Sequence, residues 1–277
     1  MSDLHDPSYR LPQEAGDLWE TNARWWQETF TEGADPEYEE QIIPLLCDCL
    51  SASLAAGGGG RVLDVGCGEG QLSRAAARLE CVSEVIGLDP TWSQLKVAAS
   101  RLSPLGAGGP RRAPAGRVGI VRAAAGALPF PDSYFEAAFA CLVFEHIEDL
   151  DQGISEVGRV LRTGGTFLLF LNHPLLQAPG SGWVDDHILH EQYWRIGPYL
   201  AEHHAVEEVA KNVWIPFIHR PLSRYVNALW AAGLCVTAMA EPSPPEGFLR
   251  GASEYALAAA FPRLMMLRAT KSRNLKG

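Results

Sequence analysis

Three glycines and an acid carry the most specific chemistry in this chain. In VLDVGCGEG, residues 62–70, an apolar run containing Asp64 passes at once into Gly66, Gly68 and Gly70, and a helix-forming run from Gln71 to Leu79 follows. Glycines in that place let the backbone turn sharply and let a ligand approach closer than a Cβ would permit. Asp89 ends the next apolar run, in GLDP, where a carboxylate accepts from both hydroxyls of a ribose. The expected ligand therefore carries a free ribose. A dinucleotide site shows GxGxxG and leaves a helix N-terminus open to a pyrophosphate. Here the spacing is GxGxG, with Asp64 in front and Glu69 between the last two glycines, which favours a ligand with positive charge and no phosphate.

Candidate bases lie further along. The chain has 8 histidines, and all except His5 fall between His146 and His219; imidazole is the natural base near neutral pH. His146 follows the fourth apolar run and His173 the fifth, so either could face a reacting atom, and either could equally pack or cap. Asp185, Asp186, His187, His190 and Glu191 read as a solvated helix start rather than a metal site, and no metal is expected. Trp183, Tyr193 and Trp194, with Trp25, Trp26, His219 and Arg220, are the candidates for an acceptor pocket. Arg195, Arg220 and Arg224 could anchor an acidic group or pair with surface acids.

The elements that must position these groups follow from periodicity. Trp19, Ala23, Trp26 and Phe30 recur at helical spacing, predicting an amphipathic helix from Asp17 to Phe30. A second helix is predicted from Asp35-Pro36 to Leu54, with Asp35 as cap and Ile42, Ile43, Leu46 and Leu50 as its stripe. Short apolar runs then alternate with helical segments: 62–65, 85–88, 118–121, 137–142 and 166–171. That rhythm argues for a parallel sheet with helices on its faces. Residues 103–117, rich in Gly, Pro and Arg, read as a loop. The rhythm stops between Asn172 and Val213 and resumes with a helix at 222–232 and strands at 234–240 and 263–268. An excursion there would form a lid over the ligand-binding edge.

Composition bounds the rest. The chain has 277 residues, 47% of them hydrophobic and 20% charged, which suits a globular core of one domain with an appendage. Its 33 acids against 23 bases give a net charge of -10, which disfavours nucleic acid as a partner. The 6 cysteines show no CxxC pairing and read as reduced thiols. Neither a leader-like segment nor a run of about 18 apolar residues is seen. The expectation is a cytoplasmic protein, monomeric or homodimeric, without a membrane partner.

VLDVGCGEGQ, GLDP, ALPFPDSYFE (127–136), VFEHIEDL (143–150) and RVLRTGG (159–165), in that order, resemble the class I S-adenosylmethionine-dependent methyltransferases. The resemblance covers residues 61–171. It implies a Rossmann-like α/β fold with a seven-stranded, mostly parallel sheet and helices on both faces. Around it stand an N-terminal helical arm (1–56), a core (57–171), an inserted lid (172–215) and a C-terminal completion of the sheet (216–277). It implies S-adenosylmethionine as cofactor and S-adenosylhomocysteine as product. Gly66, Cys67, Gly68 and Gly70 would line the methionine half, with Asp64 close to its ammonium or to an ordered water. Asp89 would bind the ribose and Pro90 pack on the adenine. Ala125, Gly126 and Leu128 would flank the adenine edge, and the backbone at Cys141 would face the amino group. Many relatives place an Asp where this chain has Ala124, which removes a side-chain contact to the adenine. The implied reaction is methylation of a small organic acceptor; the supply of histidines motivates oxygen as the first choice, with His146 or His173 as base. The alternatives are transfer to carbon or nitrogen, or a cofactor-binding protein that does not methylate.

Overall fold

The computed structural model describes residues 15–54, 59–102, 116–252, 255 and 257–273. Most of the loop expected at 103–117 lies outside these residues.

Five parallel strands build the centre: β1 (Gly60–Val65), β2 (Val82–Asp89), β3 (Arg117–Arg122), β4 (Phe135–Cys141) and β5 (Leu161–Asn172). With β10 (Leu234–Ala240) and β11 (Leu264–Lys271) they form a seven-stranded sheet in the order β10-β11-β5-β4-β1-β2-β3, in which β11 runs antiparallel to both neighbours. The crossovers are α3 (Gln71–Ala76), α4 (Trp92–Leu102) and α5 (Leu150–Val160). Because β1 connects outward to β2 while β4 lies on its other side, the strand order reverses between β1 and β4. A crevice opens there beyond the strands' carboxyl ends, where open α/β sheets bind ligands.

Side-chain alternation assigns each face of the sheet. Leu63 and Val65 of β1, with Leu169 and Leu171 of β5, pack with Ile154 and Val157 of α5 and with Tyr225 and Leu229 of α7 (Leu222–Ala231). Val62, Leu168 and Phe170 pack on the other face against Leu46, Leu50 and Leu54 of α2 (Ile43–Leu54) and Leu72 of α3. Asp64 shares its face with Val62 and so points at α3.

The predicted helix from Asp35 is interrupted. A π-helical turn, Tyr38–Ile42, precedes α2. Pro44 explains it, since its nitrogen has no hydrogen to donate and its ring crowds the carbonyl one turn back, which widens that turn. The cap itself is formed: Asp35 Oδ1 accepts from Glu37 N at 2.7 Å. The N-terminal helix α1 spans Ala15–Phe30 and lies along β9 (Val213–His219) and α4.

Residues 174–219 hold α6 (Pro174–Gln177) and two hairpins, β6 (Gly182–Asp186) with β7 (Glu191–Arg195), and β8 (His203–Ala210) with β9. The helix start expected at Asp185–Glu191 is therefore a hairpin turn. Asp186 Oδ1 accepts from the amides of Ile188 and Leu189, both at 2.9 Å, a side-chain-directed turn that outcompetes a helical one. After α7 and β10 comes a short α8 (Glu246–Gly251) before β11. No helix among the described residues is long and apolar enough to cross a membrane.

Helix α5 starts where Asp149 accepts from Gln152 N at 2.9 Å. Asp149→Ala should lower unfolding free energy by about 1 kcal/mol, measured by urea denaturation; an unchanged midpoint would show that the cap contributes nothing.

Candidate functional site

A cavity of about 730 Å³ occupies the crevice. Its floor is the turn after β1. Gly66 adopts φ 75°, and a Cβ there would collide with the side chain of Val143, so only glycine lets the β1 and β4 loops approach this closely. Leu142, next to Val143, is itself held at φ 55°, a costly region for a branched side chain and one found at constrained functional loops.

Two carboxylates face the cavity from the ends of β1 and β2. Asp64 is 2% exposed and accepts from Ser73 Oγ at 2.5 Å. Burial, reinforced by the neighbouring charges of Asp89 and Glu69, raises its carboxyl to about 7 in spite of that bond. Asp89 accepts from the amides of Gly68 (3.0 Å) and Thr91 (2.8 Å), yet burial raises it too. No arginine or lysine pairs with either acid among the described residues. An ammonium or sulfonium would meet both carboxylates unneutralised. Glu69 differs: it is paired with Arg74 at 2.8 Å and with Arg101. Its charge is spent, so the case against a pyrophosphate rests on glycine spacing and Asp64.

Pro90, Ala125, Gly126, Cys67 and Cys141 also line the cavity. Gly70 and Leu128 do not. Gly70 caps α3 in the left-handed conformation, and Leu128 is buried in the core while its amide donates to Glu156 Oε2. Ala124 presents only its methyl group, which leaves the loop backbone to meet an adenine edge. The sequence reading missed Trp92, 51% exposed at this end of the cavity. Its place directly after Asp89-Pro90-Thr91 was the available signal.

The two candidate bases part company. His146 lines the cavity, and its Nδ1–H donates to the Pro216 carbonyl at 2.6 Å, which fixes the lone pair on Nε2. Trp19 packs edge-on at 4.8 Å and Phe217 at 5.6 Å. Burial pushes the imidazole down to about 4, so it stays neutral at ordinary pH. His173 lies away from the cavity. It accepts from Leu175 N as the cap of α6, and its Nε2 bonds Glu241 at 2.7 Å.

The expected acceptor pocket is redistributed as well. Trp26 lines the cavity and Trp25, one residue round the helix, does not; Trp19 does, a contributor the spacing had marked only as helical. Trp183 and Trp194 meet edge-to-face across β6 and β7 beside a separate cavity of about 180 Å³, and Tyr193 is exposed. His219 is buried and bonds the Tyr199 carbonyl at 2.8 Å. Arg220 is fully buried and donates to the carbonyls of Phe144, Ile147 and Glu148. These bonds, with Ile218 N to Glu145 O at 2.7 Å, clamp the loop that carries His146 onto β9.

The sheet order, the crevice at the strand switch and the glycine-acid floor together are those of the class I S-adenosylmethionine-dependent methyltransferase fold, and the core of this chain has that fold. Residues 63–169 match the family model described as "Methyltransferase domain". A solved S-adenosylmethionine dependent methyltransferase from Mesorhizobium loti superposes with a TM-score of 0.67 at 26% identity, covering 85% of this chain and 98% of that one. An O-methyltransferase, cnsE, of Penicillium expansum is 26% identical over 63% of this chain and 64% of its own length. The ubiquinone/menaquinone biosynthesis C-methyltransferase UbiE of Pseudomonas paraeruginosa is 36% identical over 40% of this chain and 41% of its own. The chain thus spans less than two thirds of the length of these two curated relatives.

Glu145, buried behind the His146 loop, accepts from Asn172 N and Nδ2, yet its Oε2 has no partner among the described residues. Burial raises its carboxyl to about 7. A raised acid binds its proton more tightly in the folded state, so its stabilisation is present below the unfolded value and is lost as pH rises toward 7. Glu145 alone should cost the protein on the order of 2 kcal/mol between pH 5 and pH 8, and Asp64, also raised to about 7, adds a decline of its own, both read in denaturant melts. Glu145→Gln should remove the Glu145 part of that decline; a decline of the same size in the variant would contradict the assignment.

Proposed function

We propose that this protein binds S-adenosylmethionine and transfers its methyl group to the oxygen of a small organic acceptor. The observation that carries the reading is the pair of buried, unneutralised carboxylates, Asp64 and Asp89, at the floor of a glycine-walled cavity. Asp64 would face the ammonium, Asp89 would accept from the ribose hydroxyls, and Gly66 and Gly68 would admit the methionine portion. Pro90 and Trp92 would flank the adenine, which meets backbone at Ala124–Gly126. On this reading the chain divides into an N-terminal arm (1–56), of which α1 borders the site, a cofactor-binding core (57–171), an inserted lid (172–215) and the completion of the sheet (216–277).

The cofactor, when bound, supplies a methyl carbon that forms a bond to the acceptor oxygen as its bond to sulfur breaks, the electron pair staying on sulfur. What the chain adds is position and a proton acceptor. His146 offers Nε2 as a lone pair with no bonding partner among the described residues. A base this weak takes no proton from a free hydroxyl. It suffices once the oxygen gives up electron density to carbon, because the hydroxyl proton then becomes strongly acidic. One relative is named for O-methylation and another for C-methylation; the neutral, tautomer-fixed imidazole favours oxygen.

Asp89→Ala should weaken S-adenosylhomocysteine binding at least tenfold by calorimetry. His146→Ala should leave that affinity within a factor of two and cut methyl transfer by about 10²-fold or more. Loss of cofactor affinity in the His146 variant, or full turnover, would overturn the role of base.

A further inference from the structure

The acceptor end of the cavity has walls of one chemistry. Helix α1 contributes Trp19 and Trp26, in edge-to-face contact at 5.5 Å, and the loop after β4 contributes Leu142, Val143, His146 and Ile147. Besides the indole N–H donors of Trp19 and Trp26, the polar side-chain group these six residues bring is His146 Nε2, the one side-chain acceptor among them.

Among the described residues, every charged side chain lining the cavity apart from Asp64 and Asp89 already has a partner. Arg122 is the one basic residue among the described residues lining the cavity, and its Nε donates to the Pro90 carbonyl at 2.9 Å on the ribose side. Arg220, which could have met an acidic acceptor, is spent on three carbonyls and on Glu202. Arg224 holds Asp151 and Glu202, and Arg195 holds the Gly180 carbonyl. On the acidic side, Glu20 of α1 accepts from the Ser93 amide and hydroxyl, and Glu69 is tied to its two arginines.

We infer that the acceptor is an uncharged aromatic alcohol of about one ring, a phenol, packed against the touching Trp19 and His146 rings and Trp26 with its hydroxyl donating to His146 Nε2. This rests on the methyltransferase reading and narrows it. Aromatic walls favour a ring. An isolated acceptor atom in an apolar wall selects one hydroxyl donor. Among the described residues, a carboxylate or phosphate on the acceptor would be stripped of water with no cation to receive it, and an ammonium would find no free carboxylate beside His146 and the α1 indoles. The N-terminal helix, rather than the β6–β7 hairpin with its own aromatic cluster, then sets the choice of acceptor.

The test is binding, independent of turnover. The full chain is first titrated with S-adenosylhomocysteine. Absence of binding there overturns the methyltransferase reading itself. The saturated protein is then titrated by calorimetry with para-cresol, para-hydroxybenzoate and para-hydroxybenzylamine, three phenols of similar size that differ in charge. The expected result is that para-cresol binds at least tenfold more tightly than either charged phenol. Trp19→Ala, checked for folding by its melting curve, should weaken para-cresol at least tenfold, and Trp19→Phe should restore most of that loss. Equal or tighter binding of a charged phenol, no binding of para-cresol to saturated protein, or unchanged affinity in a folded Trp19→Ala variant would overturn the proposal.

Discussion

The burial of Asp64 is the constraint around which the rest of the site is arranged. A carboxyl on the central strand of a parallel sheet lies where water is excluded, and it is costly to ionise there without a partner. The fold gives it one hydroxyl, from Ser73, and sets a second acid without an ion-pair partner, Asp89, within electrostatic reach. A protein that needed only a stable turn would place an apolar residue at that position. The crowding of negative charge makes sense as a site that a cationic ligand completes. The net acidity of the chain is consistent with this and would not have located it.

The same constraint explains why the loops above the sheet are so tightly tied. Gly66 must meet Val143 without a Cβ between them, and Leu142 accepts a left-handed backbone to keep that loop in place. Arg220 and the backbone of β9 then secure residues 144–148, and with them the His146 ring, at a defined distance from the floor. Helix α1 closes the arrangement from the opposite side: Asn22 donates to the Trp214 carbonyl and Glu20 caps α4 through Ser93. Distant segments thus share one cavity because each satisfies backbone groups of another.

The sheet was legible because strands buried on both faces read as short apolar runs between glycines and acids, and Val62–Val65 and Thr166–Leu171 have that form. The π turn was not, since helical periodicity continues through it and the defect comes from one missing hydrogen at Pro44. Residues 174–219 resisted for another reason. β8, HHAVEEVA, is half-solvated and polar, so its pattern carries almost no period. His146 and His173 follow their strands alike in sequence; only the partners of the second, Glu241 and the amide of Leu175, distinguish a capping ring from one facing the cavity, and Glu241 is remote in the chain. Trp25 and Trp26 differ by one helical step, which turns one indole into the cavity and the other away.

The central claim is that a cation completes the acidic floor. It is tested most directly by the protons exchanged when S-adenosylmethionine binds near pH 7, read by calorimetry in two buffers of different ionisation enthalpy. A positive charge beside a carboxyl held at about 7 favours its ionised form, so binding should release a fraction of a proton, and the release should largely vanish in Asp64→Asn. Proton uptake, no exchange, or an undiminished release in that variant would contradict the account.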